Sequence, residues 1–137
     1  MFTTSDKSIV LRAFNKHFFE FMDDLVAIFP ENENVLVARE TFETFKKANP
    51  TIIAKVWYSK VYSPYSEQIN QGNIDLFMEK DYSGDLSNAN NAGRVLDMIN
   101  NVRDPLKQMD EQNRAHATKY IQNLSQLSVA YANLSNQ

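Results

Sequence analysis

Cysteine is absent from this 137-residue chain, which excludes disulfide frameworks and every thiolate-based zinc, iron–sulfur or nucleophilic site. Glycine occurs only three times and leaves almost no material for phosphate-cradling loops or tight hairpins. The longest apolar run is Leu25 to Phe29, far short of the roughly 20 residues that a membrane-spanning helix needs. The N-terminal MFTTSDKS has neither the basic nor the apolar region of a secretory signal, so the expected setting is soluble and intracellular, with no membrane partner. Strong charge of one sign is missing too. With 14 Lys+Arg against 17 Asp+Glu the net charge is −3, and any nucleic-acid binding must come from a local patch.

What is present is helical periodicity. Leu11, Phe14, Phe18, Phe21, Leu25 and Phe29 recur every three or four residues, and Pro30 stops that pattern. Glu31-Asn-Glu-Asn34 supplies capping side chains for a second helix with the stripe Val35, Ala38, Phe42 and Phe45. A third helix is expected from Pro50 to Val61, with Ile52, Ile53, Val56 and Trp57 inward. Ser63-Pro64 reads as the start of a further short helix, closed by Gly72, and Ile74, Phe77 and Met78 suggest another. The polar stretch from Asp81 to Asn91 reads as loop. Val95, Leu96, Ile99 and Val102 mark a helix that Asp104-Pro105 should stop. Asp110 caps the last helix, whose stripe is Ala117, Tyr120, Leu124, Leu127 or Ser128, Tyr131 and Leu134. Nothing alternates with the period of a strand. The expectation is an all-α fold, a single domain over residues 1–137 built as a compact bundle of five to seven helices.

Chemistry-bearing groupings are few. His17, Glu20 and Asp24 share one helix face at metal-ligand spacing, but His116 is remote and no second Glu/His pair completes a di-iron set, so a solvated polar face is expected. Asp81, Ser83 and Asp85 resemble the start of a calcium loop, yet Gly84 stands at the fourth position and Ala92 at the twelfth, where glycine at the sixth and glutamate at the twelfth are needed. No metal and no cofactor are expected. Acid pairs such as Asp23/Asp24 and Asp75/Glu79 read as solvated surface, and the chain is not expected to be an enzyme.

The informative stretch is 44–65. It carries Lys46, Lys47, Lys55 and Lys60 with no acid, interleaved with Trp57, Tyr58, Tyr62 and Tyr65. Phosphate neutralisation plus base stacking, worth roughly 1–3 kcal/mol per base, is what single-stranded nucleic acid asks of a surface. Trp57 lies four residues from Ile53 and Val61, on the apolar face, which leaves Tyr58, Tyr62 and Tyr65 as candidate stackers. The following stretch, Glu67 to Asp85, has five acids and only Lys80. The two halves therefore suit each other, a neighbouring subunit or another protein. A homodimer is a further expectation, because Phe18, Phe19, Phe21 and Phe29 point to more than one side of the first helix.

Asn49-Pro50, Lys55, Trp57-Tyr58, Val61, Pro64-Tyr65, Ile69, Gly72, Phe77 and Lys80-Asp81-Tyr82, followed by Arg103-Asp-Pro105 and Tyr120-Ile-Gln-Asn-Leu124, resemble a small helical protein of large nucleocytoplasmic DNA viruses of algae and protists. The likeness runs from about Phe14 to Tyr131. It implies a viral origin and brings no activity, fold or ligand with it. The 15 Asn and 9 Lys are compatible with an AT-rich genome. Together these readings describe a non-enzymatic viral structural or interaction protein, a virion component or an adaptor in the host-cell cytoplasm, not secreted. Its interface would use the Lys/Tyr segment with the acidic stretch that includes Asp81 and Tyr82. The alternative is a nucleic-acid-binding module using residues 44–65.

Overall fold

In a computed structural model, which describes residues 4–73 and 91–135, the described residues form a bundle of five helical segments and no strand. Helix α1 spans Thr4–Ile28 and α2 spans Glu33–Ala48. Pro30 sits in the turn between them, and Asn32 caps α2 by accepting the Val35 N–H at 3.2 Å. Asn49 closes α2, its N–H bonding to the Phe45 carbonyl, and its Oδ1 accepts from both the N–H and the hydroxyl of Thr51.

The next segment differs from the sequence reading. Helix α3, Ile52–Val56, does not end near Val61 but widens into a π-turn over Trp57–Tyr62, tightens through a 3₁₀ turn over Ser63–Tyr65, and continues as α4, Ser66–Asn70. Ser63 caps nothing downstream. Its N–H and its hydroxyl both reach back to the Tyr58 carbonyl, the hydroxyl at 2.7 Å. Pro64 falls in the first positions of the 3₁₀ turn, where no N–H is required, so the chain stays helical through it. Gly72 does end the segment, at φ +80°, a conformation that suits glycine.

Helix α5, Asn91–Lys107, also corrects an expectation. Asp104-Pro105 does not stop it, because Pro105 lies in the last turn, where one missing N–H costs a single bond and buries Pro105 beside Leu106. Asp110 then caps α6, Glu111–Ser135, by accepting the Asn113 N–H at 2.8 Å. The helix expected at 74–78, the site candidates Asp81 and Tyr82, and the loop expected from Asp81 to Asn91 lie outside the described residues, save Asn91, which opens α5 instead of ending a loop.

Helices α1 and α6 pair antiparallel along their length: Asp24 meets His116, Phe21 stacks on Tyr120, and Lys7 lies over Tyr131. Between them and α2 sits an aromatic centre in which Phe18 meets Phe42 edge-on at 4.8 Å and Trp57 edge-on at 6.3 Å. Trp57 is core, as its spacing implied. Its indole N–H donates to Ser125 Oγ at 3.0 Å, and that hydroxyl donates to the Ile121 carbonyl at 2.7 Å. Of the two alternatives at the next turn of α6, Ser128 is the one fully buried.

The aromatic surplus of α1 is absorbed inside one chain, which corrects the reason for expecting a homodimer. Phe18, Phe19 and Phe21 are all buried, and Phe29 packs against the core. Phe19 is covered by two cations, with Lys46 Nζ 4.8 Å and the Arg39 guanidinium 5.4 Å from its ring centre.

Candidate functional site

The basic and aromatic stretch 44–65 is divided by the fold into two places. Lys46 and Lys47 occupy the last turn of α2, where positive charge complements the helix dipole. Lys46 is committed to the ring of Phe19, and Lys47 stays exposed. The α2 surface leading to them is occupied by an ion-pair network. Arg39 donates to Asp23 at 2.9 Å and to Glu43 at 2.6 Å, and the Asp23 hydrogen bond leads in raising its pKa. Asp23 is thereby bound to a cation and is not half of an acid pair with Asp24.

The second place is the outer side of α3 and the π-turn. Lys55 and Lys60 are exposed there, and neither forms an ion pair among the described residues. Tyr58 and Tyr62, four residues apart, lie with ring centres 6.5 Å apart and planes inclined by 31°. The three tyrosines of the stretch are not equivalent. Tyr62 and Tyr65 pack against the core, and the Tyr62 hydroxyl accepts from Asn70 Nδ2 at 2.9 Å. They serve the junction between the π-turn and α4 more than an open stacking platform.

Tyr58 belongs to something the sequence reading missed. With Ala54 and Lys55 it forms one wall of a pocket of about 220 Å³ whose other wall is Tyr131, Ala132 and Ser135 from the end of α6. Ser135 Oγ donates to the Tyr131 carbonyl at 2.9 Å, which satisfies one of the terminal carbonyls of that helix. Above the Tyr131 ring, Lys7 Nζ of α1 stands 5.4 Å from the ring centre. Tyr131 was legible as a core residue, and it is buried. Its second role, as a wall shared with α3, joins positions more than seventy residues apart and has no local signal.

A polar cluster on the α1/α6 seam also assembles only in three dimensions. His116 Nε2 lies 3.3 Å from Asp24 Oδ2, and Tyr120 is flanked by the rings of His17 at 4.6 Å and His116 at 5.1 Å. Burial, then a hydrogen bond to Asp24, then the charges of Asp24 and Glu20 push the Tyr120 phenol up to about 12. His17 and Asp24 thus border the seam, while Glu20 stays exposed, as expected of a solvated polar face. Among the described residues no three histidines or carboxylates come close enough to hold a metal ion. No helix among them is long and apolar enough to cross a membrane.

Comparison of the chain with protein-family models, with curated proteins and with solved structures found no match.

Proposed function

We propose that this chain is a non-enzymatic interaction protein of viral origin, a virion component or an adaptor in the cytoplasm of the infected cell, that binds a protein partner through the outer face of α3 and the π-turn. The observation that carries the reading is the placement of Lys55, exposed and without an ion pair among the described residues, beside Tyr58 in the lining of an apolar pocket, with Lys60 exposed on the same helical stretch. Cations steer an encounter and set its orientation, while an aromatic side chain beside a pocket supplies contact area at low conformational cost. The resemblance of the sequence to small helical proteins of large DNA viruses supports the viral setting. The partner is another protein or, less economically now that the α1 aromatics are buried in their own chain, a second copy.

Affinity capture from infected cells, followed by reconstitution with the purified partner, tests this. Lys55→Glu should weaken the reconstituted complex at least fivefold and leave the circular-dichroism spectrum unchanged; equal affinity would overturn the assignment of the face. The rival reading is a nucleic-acid-binding module using residues 44–65, favoured by the exposed cations Lys47, Lys55 and Lys60. It predicts micromolar binding to labelled single-stranded oligonucleotides that weakens steeply with salt, with a smaller salt slope once Lys47, Lys55 and Lys60 are changed to Gln.

A further inference from the structure

The pocket between α3 and the end of α6 has a size, lining and charge that select a class of occupant. Its volume of about 220 Å³ is below the roughly 300–1,000 Å³ of sites that enclose a whole small molecule. It has room for a single side chain. Tyr58, Ala132, Ala54 and Tyr131 line it, the last two themselves buried, so the group that enters is apolar, and an aromatic ring can lie against the half-buried Tyr58. Among the described residues its charged lining residue is Lys55, which is exposed, and no acidic residue lines it. Lys7 stands over the Tyr131 ring on the α1 side.

We infer that this pocket is an anchor site for an acidic peptide segment of another protein, taking one aromatic side chain against Tyr58 while a flanking carboxylate pairs with Lys55. This rests on the protein-partner reading above and gives it a chemistry. The burial of one apolar anchor in a preformed pocket, surrounded by charge that sets orientation, is how a small surface reaches useful affinity.

Fluorescence anisotropy with three labelled peptides tests it: Asp-Glu-Phe-Glu-Asp, the same peptide with Ala for Phe, and Lys-Lys-Phe-Lys-Lys. The acidic Phe peptide should bind roughly tenfold more tightly than its Ala counterpart, the gain expected from partial burial of one ring. The basic peptide should bind more weakly than either. Ala132→Leu, which places a larger side chain in the pocket, should erase the preference for Phe, and Lys55→Glu should weaken both acidic peptides. Tyr58→Ala, a change at a half-buried site, provides a second variant should Ala132→Leu fail to fold, and it too should reduce the preference for Phe. Equal binding of the Phe and Ala peptides, or no binding of either, overturns the anchor site. If the peptides fail while Lys55→Glu still weakens the reconstituted complex, only the pocket is wrong. If both fail, the interaction face itself is wrong.

Discussion

Replacing Ser125 with alanine withdraws the acceptor of the Trp57 indole N–H at the centre of the bundle. Both residues are buried, and the bond between them is 3.0 Å long. Net, a made hydrogen bond contributes about 1 kcal/mol, but leaving a buried donor without this acceptor costs about 1–3 kcal/mol. The hydroxyl also bonds to the Ile121 carbonyl one turn back, a contact that adds little to helix stability. A loss of about 2 kcal/mol is therefore expected for Ser125→Ala. For a domain of this size 1 kcal/mol corresponds to about 4 °C, so Tm should fall by about 8 °C. Trp57→Phe removes the donor together with part of a buried ring and should cost at least as much. The decisive quantity is the coupling between the two. Once the donor is gone the acceptor has nothing to serve, so the double variant should be about 1 kcal/mol more stable than the sum of the single losses predicts. Urea denaturation followed by circular dichroism is the appropriate assay, because Trp57 is the only tryptophan and its fluorescence disappears with the substitution. Additivity within about 0.3 kcal/mol would refute the claim that this bond holds the π-turn to α6.

The tyrosines of the candidate face should separate by role: Tyr62→Ala, which removes a core-packed ring and the acceptor of Asn70, is expected to cost about 2 kcal/mol, and Tyr58→Ala less than 1 kcal/mol, as read by thermal denaturation. A reversed order would contradict the placement of the two rings. The seam between α1 and α6 predicts an alkaline transition. Because the folded state holds the Tyr120 proton more tightly than the unfolded chain, its contribution is complete below pH 10 and is lost as pH rises from 10 through about 12. Tyr120→Phe should therefore lose less stability than the parent between pH 9 and pH 12; identical losses would show that Tyr120 is not linked to folding.

The features that could be read in advance are those with a local cause. The stripe of α1, the cap at Asp110, the positive φ at Gly72 and the burial of Trp57 each follow from spacing or from one residue's chemistry. The misreadings share a different origin. Pro105 marks a helix end in general, yet here it lies in the last turn and is buried, and Ser63-Pro64 looks like a start but continues a helix of changed winding. Ser125 and Ser128 look polar and are core, because each hydroxyl finds a carbonyl on its own helix. The candidate site was half legible. Lys55 and Tyr58 stand out by charge and aromaticity, whereas Tyr131, Ala132 and the pairing of Asp24 with His116 depend on antiparallel contacts that no local pattern announces. Lys46 was misjudged because its engagement with Phe19 joins α2 to α1.

The π-turn amounts to a residue held in reserve. On an uninterrupted α-helix Ile53 and Val61, eight positions apart, would differ in direction by roughly 80°. The wider winding over Trp57–Tyr62 reduces that offset, and both side chains reach the core with Trp57 between them. A shortening by one residue inside this stretch can relax the backbone to ordinary α-helix without breaking it. Over seven positions of ordinary helix the same two ends would differ by about 20° in the opposite sense, so Tyr65 and Ile69 would keep nearly their present directions while Lys55 and Tyr58 kept their place. The loss of one residue at this point would thus be absorbed by the winding, with the interaction face and its support both left standing.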